Sequence, residues 1–356
     1  MSQIGYLVLE SGEIFKGFWR GGSDRAGEVV FNTSHSGYEE IATDPSYFRQ
    51  IMVMTAPMQG NYGASQKFWE SRKIWLEGFI CLEMQSSSRD SSWLKTLTSC
   101  GVPVLTDLDT RALVLRLREK GTPWGALVTA NNESEAKTKA VTLIEKSKKI
   151  DPDWVYQVSR TSVEDLPGLN PKGPKVAVLD YGCKENTLRE LIKRCREVRV
   201  FPSRARPEEI KAWQPDGIML SNGPGDPQDV QQAVETVQAL LGWRFIFGIC
   251  MGHQILALAL GAKTYKLKFG HRGSNHPIRD EVLNRIYMTS QNHGYAVDRQ
   301  SLPNGVQVTH TNLNDNTVSG ITATDKRCLG VQFHPESHPG PHDAVGLFDY
   351  FISQTL

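Results

Sequence analysis

A cysteine set between two glycines, with a histidine and a glutamate two residues apart far downstream, is the part of this chain equipped for covalent chemistry. The cysteine is Cys250 in FGICMGHQ (247–254), and the others are His334 and Glu336 in VQFHPES (331–337). Free cysteines are mostly small core filler, so the setting has to decide. Here an apolar run ends at Gly248 and a Leu/Ala-rich helical run begins just after Cys250. In the pattern G-x-C-x-G, Gly248 and Gly252 permit the tight strand-to-helix turn of a nucleophile elbow, which lifts the sulfur out of the sheet. A helix N-terminus at that point favours thiolate, and the backbone N–H of Met251 is placed to receive an oxyanion. A thiol needs a base, and the base needs an orienter. Residues 334 and 336 fall on one side of an extended segment, and Pro335 between them helps keep it extended. His334 is the expected base, and Glu336 the carboxylate that fixes its tautomer.

A metal competes for the same histidine. His334, His338 and His342 are spaced by four, as zinc ligands on a helix are. Pro335, Pro339 and Pro341 forbid that helix and no E-x-x-H accompanies it, so no metal is expected. Two other stretches carry weaker signals. LSNGPGDP (220–227), with Gly223 and Gly225, reads as a rigid turn whose N–H groups could join an oxyanion nest. QNHGYAVD (291–298) gathers an amide, an imidazole, a glycine and a tyrosine, and by itself reads as a plain turn.

The elements that must hold these groups are legible around them. From Lys175, apolar strand-like runs alternate with helical ones: KVAVLD, NTLRELIKRC, VRVFP, EEIKAW, GIML, VQQAVETVQALL, RFIFGI, GHQILALAL. Such alternation predicts a parallel sheet with helical crossovers, and ligands of such sheets sit at the carboxyl ends of the strands. Short strands (KTYKLKF, RIYMTS, VQVTHT, SGITAT, LGVQFH) and a helix at DAVGLFDYFI follow. The first half mixes YLVLE, EVVFNT, QIMVMT and FICLEM with a helix, DTRALVLRLREKG, that closes on Gly121, and a second helix over about 133–149. The expected class is α/β: a mixed α/β domain over 1–150, an aperiodic linker over 151–174, and a doubly wound, mostly parallel-sheet domain over 175–356.

Bulk properties exclude several other classes. The chain of 356 residues is 39% hydrophobic and 22% charged, with a formal charge of +1, ordinary for a globular protein with no reason to seek nucleic acid or charged lipid. Its six cysteines form no C-x-x-C pair or regular framework, which fits a reducing compartment. The N-terminus reads as a strand and not a signal peptide. FIFGICMGHQILALALGA is interrupted by His253, Gln254 and three glycines and does not read as a membrane span. A cytoplasmic location is expected. No G-x-x-x-x-G-K-[ST] loop occurs, and KVAVLDYGCKEN lacks G-x-G-x-x-G, so no ATP or dinucleotide is expected on this chain.

In order and spacing, SNGPGDP, GICMGHQ, QNHGYAVD and QFHPESHPGPHDA resemble the triad (class I) glutamine amidotransferases. FNTSHSGYEEIATDPSYFRQ, DTRALVLRLREKG and LDYGCKENTLREL narrow the resemblance to the small (glutaminase) subunits of carbamoyl-phosphate synthase, over essentially the whole chain. The resemblance implies Cys250 as nucleophile with His334 and Glu336 as its partners. It also implies a glutamine site lined by Ser46, Gly223, Gly225, Met251, Gln254, Asn292, Gly294 and Tyr295. Met251 and Tyr295 stand where Leu and Phe are usual, and SHSGY around His35 departs from the usual small residues. Further implied are glutamine as substrate, a large synthetase subunit as heterodimeric partner, ATP and Mg on that partner with no cofactor here, and service to arginine or pyrimidine synthesis. Two rivals are a stand-alone thiol hydrolase of γ-glutamyl compounds, which leaves the first 150 residues without a role, and a degenerate non-catalytic scaffold. Degenerate copies usually lose the nucleophile or the base, and this chain keeps both.

Overall fold

Strand-forming runs of the first 130 residues close into a barrel. In chain order the strands are β1 (Gln3–Leu9), β2 (Ile14–Gly21), β3 (Arg25–Asn32), β4 (Gln50–Met54) and β5 (Met58–Gln59), then β6 (Gly78–Ile80), β7 (Glu83–Met84), β8 (Val104–Thr106) and β9 (Trp124–Thr129). The barrel order is β1-β2-β8-β6-β4-β3-β9, and β9 returns to pair with β1, while β5 and β7 form a separate two-stranded sheet. FICLEM, one run in the sequence, is thus split between β6 and β7. Among the described residues, four α-helices accompany them: α1 (Tyr38–Thr43), α2 (Trp93–Ser99), α3 (Thr110–Lys120) and α4 (Glu133–Lys148). The Asp109 carboxylate caps α3 by accepting from Ala112 N at 2.8 Å, and the helix stops at Gly121, whose φ is 98°. Along α4, Ala136, Ala140 and Ile144 recur every fourth residue and pack on Tyr6, Val8, Ala126 and Val128, the stripe an amphipathic helix needs.

The structure, a computed structural model, describes residues 3–87 and 92–355, and these fall into two units, Met1–Asp151 and Pro152–Leu356. The second begins with α5 (Trp154–Val158) and β10 (Glu164–Pro167). This corrects the expectation of an aperiodic linker over 151–174: β10 pairs antiparallel with the strand over 197–202 and forms an edge of the main sheet. Pro167 in that strand disguised it, since proline is tolerated at sheet edges and absent from their centres.

The alternation then runs β11 (Lys175–Asp180), α6 (Glu185–Arg194), β12 (Glu197–Pro202), α7 (Pro207–Ala212), β13 (Gly217–Leu220), α8 (Gln231–Leu240), β14 (Phe245–Ile249) and α9 (Met251–Ala259). Next come β15 (Thr264–Asp280), β16 (Arg285–Val297), β17 (Gln307–Asn312), β18 (Val318–Ala323), β19 (Cys328–Val331) and α10 (Gly346–Ser353). The sheet order is β10-β12-β11-β13-β14-β19-β18-β17-β15-β16. Its heart, β12-β11-β13-β14-β19, is parallel, and the flanking strands are antiparallel.

Side chains of β11 alternate between two cores. Val176 and Val178 pack with Leu188, Leu191, Phe348 and Phe351 on the α6/α10 face. Ala177 and Leu179 pack with Val234, Val237, Ile255 and Leu256 on the α8/α9 face. A strand buried on both faces reads as a continuous apolar run, which is why KVAVLD shows no polar alternation. Each such Val or Leu contributes about 1.5–3 kcal/mol by leaving water.

Candidate active site

Cys250 is the N-cap of α9, directly after β14, with φ 52° and ψ −104°. A non-glycine residue in that region is strained, and such strain gathers at functional sites. Cys250 N donates to Val331 O at 2.8 Å and Gly252 N to Ser221 O at 3.0 Å, tying the corner to its neighbours. The two glycines are dictated by space. A Cβ on Gly252 would lie 2.3 Å from Leu220 O, and one on Gly248 would lie 2.6 Å from Gly252 O. Both obstacles are backbone and cannot swing aside. Met251, as the first helical residue, has no intrahelical partner for its N–H, so the sequence-level assignment of that donor to an oxyanion suits its position.

The segment after β19 carries His334, the expected base. His334 N donates to Ser290 O at 3.0 Å, a bridge that fixes the chain against β16. His334 Nδ1 then meets Glu336 Oε1 at 2.7 Å, and both side chains are buried. Burial by itself would lower the imidazole pKa; the adjacent Glu336 carboxylate, with a smaller part from the Cys250 thiol, overcomes this and raises it to about 10. Burial would conversely raise Glu336, but Lys184 and His334 hold it down at about 2. With Nδ1 committed to Glu336, Nε2 has no hydrogen-bond partner of normal geometry. A buried, unpaired ring nitrogen of high proton affinity is what proton exchange with a reacting group requires.

Two residues of this site were not singled out in the sequence. The Gln332 amide approaches the thiol, Nε2 to Cys250 Sγ, at 3.8 Å, and its oxygen accepts from Gln254 Nε2 at 3.1 Å. The chain is not extended here, which corrects the sequence-level expectation: β19 ends at Val331 and 334–337 form a turn closed by Ser337 N donating to His334 O at 3.1 Å, so no period-two signal marked Gln332. Lys184, also buried, lies with Nζ 3.3 Å from Glu336 Oε1 and donates to Ser337 O. Nothing in LDYGCKEN marks a buried lysine, because its partner is 152 residues away and only the fold joins them.

The remaining sequence-level candidates are distributed as follows. QNHGYAVD is no turn; it lies within β16 up to Val297, and this corrects the isolated reading of that stretch. Cys250 Sγ contacts Asn292 O at 3.5 Å, and Gln254 Nε2 donates to Tyr295 O at 2.8 Å, so β16 carries Asn292, Gly294 and Tyr295 past the corner. Both ring nitrogens of His293 are engaged, Nδ1 with Tyr295 O and Nε2 with Gln291 Oε1, and burial pushes its pKa well below the usual value. It has no nitrogen to spare. Gly223 and Gly225 lie in the loop after β13; Gly223 packs against Tyr181, and Gly225 has φ 91°. Ser46 belongs to the first unit, in a single 3-10 turn capped by Asp44, whose carboxylate accepts from Ser46 N at 2.9 Å. His338 and His342 meet edge to face, ring centroids 5.7 Å apart, beyond Glu336, and among the described residues no cluster of His, Cys, Asp and Glu is arranged for a metal ion. Nor, among them, is any helix long and apolar enough to cross a membrane.

Comparison with known proteins matches each unit separately. Residues 177–354 fit the class-I glutamine amidotransferase family, and residues 7–127 fit the CPSase domain of the carbamoyl-phosphate synthase small chain. Relatives match over nearly the full length. The carbamoyl phosphate synthase small chain of Symbiobacterium thermophilum is 45% identical, with 97% of both chains covered. That of Bacillus caldolyticus is 44% identical, covering 98% of this chain and 95% of the relative, and that of Fusobacterium nucleatum is 42% identical, covering 97% and 96%. A thiol corner, a carboxylate-held histidine and a barrel domain in front of them thus come with likeness along the whole chain, and the chain belongs to the carbamoyl phosphate synthase small chain family.

Proposed function

We infer that this chain hydrolyses glutamine to glutamate and ammonia and passes the ammonia to a separate ATP-dependent chain that makes carbamoyl phosphate from bicarbonate. The observation that carries this is the strained Cys250 corner facing a histidine whose Nδ1 is held by a buried carboxylate. Cys250 Sγ attacks the side-chain carbonyl carbon of glutamine with its proton already held on His334 Nε2, where the raised imidazole pKa keeps it. The developing oxyanion takes the Met251 N–H; one such donor is worth about 2.7–4 kcal/mol. As the C–N bond breaks, His334 returns the proton to the leaving nitrogen, which departs as ammonia and leaves a γ-glutamyl thioester. A water molecule that gives its proton to His334 then attacks the thioester, releasing glutamate and regenerating the thiol. Glu336 keeps the imidazole in one tautomer throughout.

Glutamine is held by Ser46, Gly223, Gly225, Gln254, Asn292, Gly294 and Tyr295, an assignment that rests on the match of their motifs to the family. The partner is the large synthetase chain, which carries ATP and Mg and completes a heterodimer; the first unit is its main docking domain. Serving arginine or pyrimidine synthesis follows from the same reading. The test is labelling with a glutamine-mimicking electrophile, followed by mapping of the adduct. Modification at Cys250 and loss of glutamine use in Cys250→Ser, with ammonia-driven synthesis by the complex retained, are expected. An adduct on another cysteine with Cys250 untouched refutes the assignment.

A further inference from the structure

Glu336 is contacted by two residues, Lys184 and Asn186, from the junction between β11 and α6. Asp180, the last residue of β11, is 1% exposed. Its Oδ1 accepts from Gly182 N at 2.9 Å and Cys183 N at 2.7 Å, so the turn into α6 is wrapped around the carboxylate. Its Oδ2 accepts from Arg160 N at 2.8 Å and Arg160 Nη1 at 3.1 Å. The next three residues all leave this turn with fixed partners. Lys184 reaches the Glu336 carboxylate, Glu185 takes Arg160 Nη2 at 3.2 Å, and Asn186 Nδ2 donates to Glu336 O at 2.5 Å. The start of α6 is therefore gripped by Arg160 and Asp180 on one side and by Glu336 on the other.

We propose that Arg160 and Asp180 form a clamp that positions Lys184 and Asn186 against Glu336, and through Glu336 sets the orientation of His334. The inference rests on the glutaminase reading above and deepens it. A carboxylate with two backbone donors on one oxygen and a guanidinium on the other has little freedom to rotate, because charge-assisted bonds fix both ends. Loosening it lets the turn at 182–183 relax, and the Lys184 ammonium shifts with it. Catalysis is sensitive to such shifts: about 1 Å of misplacement can cost on the order of 10²-fold in rate. Because the clamp touches neither glutamine nor the sulfur, its loss acts on the proton-transfer steps and leaves ground-state binding nearly intact. Arg160 itself stands within the second unit, between α5 and β10.

The experiment measures glutaminase kcat and KM, together with ammonia-driven synthesis, in the full complex for Asp180→Ala, Arg160→Met and Arg160→Lys. The expected result for Asp180→Ala is a kcat drop of about ten- to a hundred-fold, with KM within about three-fold of wild type and ammonia-driven synthesis unchanged. Arg160→Met should fall in the same direction, and Arg160→Lys, which keeps the charge, should recover most of the loss. Because Arg160 is partly exposed, its variants keep the test decisive if Asp180→Ala does not fold. Wild-type kcat in both Asp180→Ala and Arg160→Met overturns the clamp, as does a KM rise that accounts for the whole effect. An equal drop in ammonia-driven synthesis overturns it too, marking a general loss of structure. A wild-type complex without glutaminase activity overturns instead the reading on which the clamp rests.

Discussion

At the residue scale, the decisive quantity is the proton affinity of His334, and Glu336 sets it. The carboxylate raises the imidazole against the burial that would otherwise lower it, so removing the charge lowers its proton affinity. This gives a linkage prediction. His334, with a raised folded pKa, contributes stability fully below its unfolded value of about 6.5 and loses it as pH rises toward about 10. Glu336, with a depressed folded pKa, contributes fully above its unfolded value and loses stability as pH falls toward about 2. Glu336→Gln should therefore lower Tm most near pH 5–6, with the gap to wild type narrowing steadily toward pH 10. A gap that stays constant from pH 6 to 10 contradicts the assignment. In activity, His334→Ala should lose nearly all turnover, a factor of about 10²–10⁴ for a positioned acid–base, while Glu336→Ala retains more. Wild-type kcat in the histidine variant refutes the triad.

At the element scale, the corner between β14 and α9 is specified by close approach of backbone to backbone. Gly252→Ala pushes a methyl group into Leu220 O and must separate α9 from β13; overpacking of this kind costs about 1–3 kcal/mol. Gly346→Ala, at the start of α10, is a fair control, since its nearest obstacle is Leu283 Cδ1 at 4.0 Å. Thermal unfolding should show a drop of several degrees for the first and almost none for the second. Equal shifts refute the packing account. The same corner shows why part of the fold was legible in the sequence and part was not. Local signals worked where one residue pattern sufficed: the buried run of β11, the stop of α3 at Gly121, the G-x-C-x-G turn. They failed where the partner was remote. QNHGYAVD reads as a turn because Asn and Gly punctuate chains locally, yet long pairing with β15 draws it into a strand. VSRTSVEDLPG reads as a linker because nothing within it reveals that Leu166 pairs with Val198. Closure of β9 onto β1 leaves no mark in either segment, since each reads as an ordinary buried strand with nothing to name its partner. Cys250, His334 and Glu336 were visible as types and spacing, whereas Lys184 needed the fold to bring it to Glu336.

At the scale of the whole molecule, a thiol site for releasing ammonia sits in the second unit, and a barrel with its own core precedes it. The barrel core, with Val30, Met52, Phe79, Trp93 and Val104 all buried, is of the kind that stabilises a domain by itself, so a fragment ending near Lys149 should fold alone. If that unit is the main dock for the large chain, the fragment should co-sediment with it, and a complex of ordinary stability then buries roughly 1,200–2,000 Å² in total. Docking should also raise glutaminase kcat in the intact chain, because a closed, drier site strengthens the contact from Met251 N–H to the oxyanion. If Ser46 binds glutamine as proposed, the same unit has a second duty. Ser46→Ala in the complex should raise KM for glutamine more than it lowers kcat, by the 0.5–1.5 kcal/mol or so of one hydrogen bond, or about two- to twelve-fold. The two duties separate cleanly in one set of measurements. A barrel fragment that fails to bind while the fragment from Lys175 onward binds fully moves the dock to the second unit. Tight glutamine binding by that second fragment alone removes Ser46 from the substrate site. Retained docking together with weakened glutamine binding by the isolated second unit is the result that this division of labour requires.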